Sequence, residues 1–224
     1  MTRLLTLRKH MEQQDIDVLL IRSTDQYLNE YVPADQSRRT YITGFTGSMG
    51  DVLVTPSSQI LFVDGRYTLQ AKNECPDWDI RVANLGMSIE ESWLAELACL
   101  PAQGLKTIAI EADRIPVSLF EKIESCAQRA GLKVLLPKQS LVDITRELIG
   151  PKPSITASKI WSIPFKITGN TAQKRLQVAR KFLQMQNLDA IFLVLLDEIA
   201  WLTNIRGNQF PYQATFSSKA IAFA

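Results

Sequence analysis

The sequence LRKHMEQQDIDVLL at residues 7–20 occurs a second time, with changes, as ARKFLQMQNLDAIF at residues 179–192. Arg, Lys, Gln and Asp recur in register between the two stretches, and apolar positions match apolar positions. A further match joins YITGFTG at residues 41–47 to WLTNIRG at residues 201–207. The interval between the copies is too long for a solenoid, so the sequence predicts two related domains in tandem. The second copy stops at Ala224 inside an apolar run, so we expect it to be truncated.

Each copy reads as a helix followed by a short buried strand. In the first copy, apolar residues at helical spacing predict a helix over residues 2–14, and a continuous apolar run predicts a strand over residues 18–21. In the second copy the same pattern predicts a helix over residues 171–186 and a strand over residues 191–196. The apolar run at residues 218–224 corresponds to the strand that comes next in the first copy.

The rest of the first copy alternates strands with helices after a glycine-rich turn. The predicted strands cover residues 51–55, 59–63, 107–110 and 133–136. The predicted helices cover residues 66–73, a stretch that begins at the capping box Ser88–Glu91, and residues 116–130. This order favours an α/β fold with a mixed sheet flanked by helices, parallel where helices cross over.

Prolines interrupt the pattern between the two copies. The sequence therefore predicts a first domain over residues 1–137 and a proline-punctuated connector over residues 138–170. A short helix is expected at residues 142–148 inside this connector. The beginning of a second, incomplete domain then covers residues 171–224.

Composition and charge exclude several classes of protein. With 46% hydrophobic residues, 21% charged residues and a net charge of +2, the chain has the composition of an ordinary globular protein. It lacks the basic stripe of a nucleic-acid binder, so no nucleic-acid partner is expected. No apolar run reaches the roughly 18 residues that a membrane-spanning helix requires, so no membrane partner is expected either.

The cysteines argue against a covalent framework. Cys75, Cys99 and Cys126 are odd in number and widely spaced, and no C-x-x-C pair exists. A disulfide scaffold or a zinc site is therefore not expected, and a reducing cytoplasm fits.

The locally basic segments lie in predicted loops. Residues 23–39 are polar and read as a long loop that ends in Arg38-Arg39. Residues 152–166 form a second basic segment. Because charges on loops are commonly solvated, we expect both segments to be exposed.

Few residues suggest catalysis. His10 is the only histidine, so a Ser-His-Asp or Cys-His centre would need it as the base, and nothing near it suggests that role. The stretch Gly44–Gly50 lacks the lysine of a P-loop, and it leads into a strand where a dinucleotide fingerprint would open a helix. We interpret its glycines as positions that allow positive φ and a close approach of the backbone.

The segment Asp64-Gly65-Arg66-Tyr67 lies where a buried strand ends and a helix begins, a place where α/β sheets commonly face a ligand. Arg66 could offer a bidentate donor fork to a peptide carboxylate or carbonyl. The alternative is a salt bridge to Asp64 or to another local carboxylate, and the residues alone favour that alternative.

Taken together, these segments resemble the N-terminal region of the long-form, cytosolic-type Xaa-Pro aminopeptidases (aminopeptidase P), which are relatives of creatinase and prolidase. The resemblance covers essentially the whole chain. Its motifs are EYVP at 30–33, RRTYITGFTGSMG at 38–50, DGRYTLQA at 64–71, LVD at 141–143, and LDEIAWLTNIRG at 196–207 with Pro211-Tyr212 shortly after.

The resemblance implies a parent enzyme of three domains. Two are related creatinase-N-like α/β domains with ribonuclease-H-like topology. The third binds two divalent metal ions, usually manganese, through two Asp, one His and two Glu. Such an enzyme removes the N-terminal residue that precedes proline from peptides by metal-activated hydrolysis. This chain ends before those ligands, so the resemblance assigns it no catalytic residue, no metal ligand and no cofactor.

In the family, the arginine of the DGRY motif reaches the bound peptide, so the resemblance implies a substrate-binding role for Arg66. It also implies X-Pro peptides as substrates, a homodimer, a cytoplasmic location, and a non-catalytic part that shapes substrate access and subunit association. The chain alone is expected to be inactive. Two alternatives stay open: a catalytically inactive peptide- or protein-binding module of the same fold, as in histone chaperones, and another enzyme of the superfamily such as prolidase or creatinase.

Overall fold

The computed structural model describes residues 2–33, 36–150 and 159–224. The chain forms two compact units, Met1–Glu30 with Ala34–Pro153, and Tyr31–Pro33 with Ser154–Ala224. The predicted domain boundaries at residues 137 and 171 stay a prediction. Residues 151–158, which belong to the predicted connector and to the second basic segment, lie outside the described residues.

The first unit is built on one mixed sheet. Its elements, in chain order, are α1 (Arg3–Gln13), β1 (Val18–Ile21), α2 (Arg38–Thr43), β2 (Asp51–Val54), β3 (Gln59–Val63), α3 (Thr68–Glu74), β4 (Asp79–Val82), α4 (Ile89–Leu97), β5 (Thr107–Ile110), α5 (Val117–Ala130), β6 (Lys133–Leu135) and α6 (Leu141–Ile149). The six described strands lie in the order β4-β3-β2-β1-β5-β6. Strand β2 pairs antiparallel with both β1 and β3. The pairs β3–β4, β1–β5 and β5–β6 are parallel.

Helices cover both faces of this sheet because its strands are apolar on both sides. Val18 and Leu20 of β1 face a cluster that includes Trp93 of α4 and Ile123 of α5. The alternate residues of β1 face the opposite cluster, which contains residues of α1 and α6. All four side chains of β1 are buried, as expected for a central strand whose side chains alternate between two covered faces.

The α/β fold with a mixed sheet flanked by helices is confirmed. The capping box at Ser88 is present: the Ser88 hydroxyl accepts a hydrogen bond from Glu91 N at 3.1 Å, and Glu91 Oε2 accepts one from Ser88 N at 2.7 Å. The short helix expected at residues 142–148 is also confirmed as α6, and this helix belongs to the first compact unit.

Three local predictions were incomplete or wrong. Strand β4 was not predicted, because its alternating sequence is only four residues long and lies at the edge of the sheet. The predicted loop 23–39 contains the start of α2. The strand predicted over 191–196 ends at Leu193, and a helix begins at Leu196. The apolar run continues across this boundary, so hydrophobicity alone did not indicate it. Asp197 and Glu198 are acidic residues suited to a first helical turn.

The second unit repeats the opening of the first. Its described elements are β7 (Trp161–Ser162), α7 (Phe165–Thr168), α8 (Ala172–Met185), β8 (Ala190–Leu193), α9 (Leu196–Thr203), β9 (Ile205–Arg206) and β10 (Ala220–Phe223). Strand β10 pairs antiparallel with β8, as β2 pairs with β1. Apart from the short strand β9, the order α8-β8-α9-β10 therefore matches α1-β1-α2-β2.

The repeat extends to single hydrogen bonds. Helix α1 is followed by Asp15 at φ 53°, and helix α8 by Asn187 at φ 52°. The residue after each makes the same hydrogen bond. Ile16 N and Leu188 N each donate to the helix carbonyl five residues back, at 2.9 Å. These left-handed helix ends satisfy carbonyls that a helix terminus leaves unpaired.

A buried polar link ties the centre of the first sheet to helix α4. Asp51, 2% exposed, accepts hydrogen bonds from Arg22 Nη1 at 2.7 Å and from Trp93 Nε1 at 3.0 Å.

We predict that Asp51→Ala lowers the free energy of unfolding by about 3–5 kcal/mol, because it removes a carboxylate that pairs with the buried Arg22. Urea unfolding followed by circular dichroism measures this loss. Asp77→Ala, at an exposed aspartate, is the control, and equal effects of the two variants would contradict the prediction.

Candidate functional site

Arg66 lies in a single 3-10 turn, Gly65–Tyr67, between the end of β3 and the start of α3. Asp64 caps this turn, because its side chain accepts a hydrogen bond from Arg66 N at 2.9 Å. The turn places the Arg66 side chain at the surface, where 67% of it is exposed. The DGRY segment therefore lies between the end of a strand and the start of a helix, as predicted.

Arg66 and Asp64 form a two-pronged ion pair. Arg66 Nε donates to Asp64 Oδ1 at 3.1 Å, and Arg66 Nη2 donates to Asp64 Oδ2 at 2.8 Å. The hydrogen bond from Arg66 is the main reason that the pKa of Asp64 lies below its ordinary value. The local salt bridge considered from the sequence is therefore present, while the role of Arg66 in substrate binding stays a prediction.

A hydrogen-bonded group flanks this pair. The Tyr67 hydroxyl lies 2.8 Å from Ser48 Oγ, and Ser48 Oγ donates to Glu30 Oε1 at 2.7 Å. The Arg66 guanidinium lies 5.3 Å from the centre of the Tyr67 ring, within the range of a cation–π contact. Glu30, Ser48 and Tyr67 were not singled out from the sequence as members of one site, because residues of three separate segments meet only in the fold.

The glycine-rich stretch serves packing. Gly44 ends helix α2 at φ 82°, a left-handed conformation that favours glycine. A side chain at Gly47 would overlap the Phe45 ring and lie within 2.8 Å of Tyr67 Cδ1. The interpretation of these glycines as positions for positive φ and close approach is thus confirmed.

Arg38 and Arg39, expected as solvated loop charges, are buried at the start of α2; that expectation was wrong. Arg39 Nη2 donates to Gly47 O at 2.5 Å, and its guanidinium lies 4.8 Å from the centre of the Phe45 ring. Burial lowers the pKa of Arg39 to about 10. Arg39 therefore holds the glycine-rich stretch in place, and Phe45 of that stretch packs against Tyr67 of the turn that carries Arg66.

Arg38 joins three segments through carboxylates. Its guanidinium lies 3.2 Å from Glu111 Oε2, 3.1 Å from Asp113 Oδ1 and 2.8 Å from Asp143 Oδ2. Because Asp143 lies on α6, this arginine ties α6 to α2 and to the end of β5. The partners Glu111 and Asp143 are far from Arg38 in sequence, so no local pattern indicated these ion pairs.

The remaining candidate groups lie apart from one another. His10 is half-buried on α1, with Nδ1 3.3 Å from Gln13 Oε1. The three cysteines are free, and the buried Cys75 Sγ lies 3.4 Å from Thr43 O. Within residues 2–33, 36–150 and 159–224, no three His, Cys, Asp or Glu side chains are grouped closely enough to hold a metal ion. In the same residues, no helix has the length and apolar character needed to cross a membrane.

The mixed sheet of the first unit and the repeat of its opening elements in the second define a class of tandem α/β domains. Sequence models of the creatinase/prolidase N-terminal domain match residues 3–148 and, in a second form, residues 151–224. The chain belongs to the creatinase/prolidase N-terminal domain family.

Curated relatives agree with this assignment. The chain is 32% identical over 222 residues to the probable Xaa-Pro aminopeptidase P of Talaromyces stipitatus, covering 98% of this chain and 33% of that protein. It is also 32% identical over 219 residues to the corresponding protein of Metarhizium robertsii, covering 97% of this chain and 35% of that protein. The chain therefore spans about a third of the length of these relatives and corresponds to their N-terminal part, as the motifs predicted.

Solved structures show the same likeness. The X-prolyl aminopeptidase of Caenorhabditis elegans, described as a cytosolic enzyme with a di-nuclear active site, superposes with a TM-score of 0.83 at 25% identity. That match covers 99% of this chain and 37% of the enzyme. The N-terminal domain of the peptidase PepQ of Mycobacterium tuberculosis, at 19% identity and a TM-score of 0.51, shares the fold over 64% of this chain and 98% of that domain.

The ion pair at Arg66 can be tested by titration. We predict that Arg66→Ala raises the pKa of Asp64 toward the ordinary value of about 3.9. Because the pKa of Asp64 is depressed in the folded state, its contribution to stability is present above the unfolded pKa and is lost as the pH falls through the folded pKa. The pair is exposed, so the accompanying change in overall stability is small.

Carbon-detected NMR of the side-chain carboxyl carbon, followed as the pH is lowered, measures the midpoint for Asp64. Arg81→Ala removes a separate arginine that pairs with Asp79 and is the control, since it should leave that midpoint unchanged. An Asp64 midpoint that does not respond to Arg66→Ala would show that the pair does not persist in solution.

Proposed function

We propose that this chain is the non-catalytic N-terminal part of a metal-dependent Xaa-Pro aminopeptidase that removes the N-terminal residue preceding proline from peptides. The observation that carries the proposal is similarity along nearly the whole chain to proteins of that description, at 31–32% identity in sequence and a TM-score of 0.83 in structure. In such enzymes the C-terminal domain holds two divalent metal ions, which supply the hydrolytic chemistry.

The residues of this chain then have supporting roles. The first unit helps to wall the peptide-binding cleft and restricts access to short peptides, and the chain takes part in the association of two subunits. We propose manganese as the metal of the parent enzyme and the cytosol as its location. His10, the only histidine, contacts Gln13 on its own helix, which supports a role outside catalysis.

Arg66 is the proposed contact to substrate. Its guanidinium is exposed, mounted on a capped turn, and oriented by one carboxylate, so it can exchange Asp64 for a carboxylate or carbonyl of a peptide without refolding the turn. Guanidinium groups suit this exchange because their planar donor fork matches carboxylate geometry. Tyr67 anchors the turn against Phe45, which lies in the stretch that Arg39 holds.

Kinetics on the full-length parent enzyme test this role. We predict that Arg66→Ala lowers kcat/KM for an X-Pro peptide about 10- to 100-fold, the loss expected for one hydrogen bond to a charged group, with most of the change in KM. Arg66→Lys should recover part of this loss, because it keeps the charge and loses the fork.

Arg81→Ala is the matched control, because Arg81 is also an arginine of the first unit that pairs with nearby carboxylates. Equal kinetic constants for the wild type and Arg66→Ala would remove Arg66 from the substrate site. That result would leave the assignment of the chain to an aminopeptidase intact.

The non-catalytic role has a separate test. We predict that the purified 224-residue chain, supplied with manganese and an X-Pro peptide, releases the N-terminal residue no faster than a metal-free blank. The full-length parent under the same conditions is the positive control. Turnover by the isolated chain would overturn the proposal, and an inactive full-length parent would favour the peptide-binding module instead.

A further inference from the structure

Arg66 has an internal carboxylate partner that occupies its best donors. Asp64 accepts hydrogen bonds from Arg66 Nε at 3.1 Å and from Arg66 Nη2 at 2.8 Å, the two parallel contacts that a guanidinium makes with a carboxylate. The pair lies at the surface, since 67% of the Arg66 side chain is exposed. A ligand of Arg66 therefore has to compete with Asp64.

Asp64 has a second contact that does not depend on this ion pair. Its Oδ1 also accepts a hydrogen bond from Arg66 N at 2.9 Å, which caps the Gly65–Tyr67 turn. Because that donor belongs to the backbone, the cap does not require the Arg66 side chain. The guanidinium can thus move from Asp64 to a ligand while the turn keeps its shape.

The charge around the guanidinium favours exchange over addition. Asp64, through its hydrogen bonds and charge, and more weakly Glu30, through its charge, hold the pKa of Arg66 above its ordinary value. Glu30 is itself fixed beside the turn, because its Oε1 accepts a hydrogen bond from Ser48 Oγ at 2.7 Å. A third anion would be repelled by both carboxylates, so an anionic ligand binds best in place of Asp64.

A carboxylate can make this exchange more readily than a main-chain carbonyl. A carbonyl is neutral and offers one oxygen, whereas a carboxylate brings the same charge and the same two oxygens as Asp64. An aminopeptidase cuts at the N-terminal end of its substrate. The C-terminal carboxylate is therefore the group of this kind that every uncapped peptide carries, and in a short peptide it lies close to the cleaved bond.

We propose that Arg66 selects X-Pro peptides by their free C-terminal carboxylate, and that Asp64 competes with this carboxylate for the guanidinium. The inference rests on the proposed function and names the substrates it favours, which are short peptides whose C-terminus comes within reach of Arg66. Longer peptides and carboxamide-capped peptides leave Arg66 paired with Asp64 and gain no affinity from it. Arg66 is then a specificity-determining residue, and Asp64 sets how strongly a carboxylate must bind.

Kinetics on the full-length parent enzyme test this selection. The substrates are Ala-Pro-Ala and the tetrapeptide and pentapeptide that extend it with alanine, each as the free acid and as the C-terminal carboxamide. Release of the N-terminal alanine gives kcat/KM. At one of these lengths we expect kcat/KM of the free acid to exceed that of the carboxamide about tenfold. Arg66→Ala should abolish this preference and leave the carboxamide values unchanged.

Asp64→Asn separates competition from support of the turn, because asparagine can still cap the turn but cannot form the ion pair. We expect this variant to raise kcat/KM for the preferred free acid about threefold, the effect of removing an exposed ion pair. Asp79→Asn is the matched control. Asp79 also pairs with an arginine two residues later, Arg81, at 3.0 Å, and the variant should leave all values unchanged.

Three results would overturn the inference: equal cleavage of free acids and carboxamides at every length, a preference that survives Arg66→Ala, or no gain in kcat/KM for the free acid in Asp64→Asn. Each of them leaves the proposed function intact, since the peptides are still cleaved. If the wild-type parent cleaves none of the peptides, the proposed function fails and this inference falls with it.

Discussion

Every apolar face of a sheet needs cover, and the architecture of this chain follows from how that requirement is met in each copy. In the first unit, α4 and α5 cover one face of the sheet while α1 and α6 cover the other, so every residue of β1 is buried. In the second unit, Phe192, Ile221 and Phe223 remain 57–64% exposed among the described residues. The copies share the elements α1-β1-α2-β2 and α8-β8-α9-β10, and among the described residues they differ in what packs on them.

Buried cations organise the surroundings of the candidate site. Arg38 and Arg39 are neighbours on α2, yet they perform different tasks, because one meets three carboxylates and the other meets a carbonyl and an aromatic ring. An arginine can be buried when its planar donors are paired or stacked. The turn that carries Arg66 packs through Tyr67 against Phe45, whose ring contacts the buried Arg39, although Arg66 itself is solvent-exposed.

Much of the fold could be predicted because helix and strand periodicity is a local property of the sequence. The repeat, β1 to β3, the capped helix at Ser88 and the position of Arg66 at a strand end are all of this kind. Burial of Arg38 could not be predicted, since its partners Glu111 and Asp143 are far away in sequence. Strand β4 and the start of α9 were missed because a short edge strand and a break inside an apolar run leave a weak pattern.

Counted back from the matched helix ends, Glu198 of α9 takes the place of Arg38 of α2, and this change of charge has a consequence for folding. Two domains with similar sequences in one chain can exchange equivalent elements as they fold, which is a characteristic failure of tandem repeats. If α6 packed against α8, β8 and α9, Asp143 would lie close to Glu198. The like charges would then repel, whereas in the first unit Asp143 pairs with Arg38. The opposite charges of Arg38 and Glu198 therefore favour packing of α6 in the first unit over packing in the second.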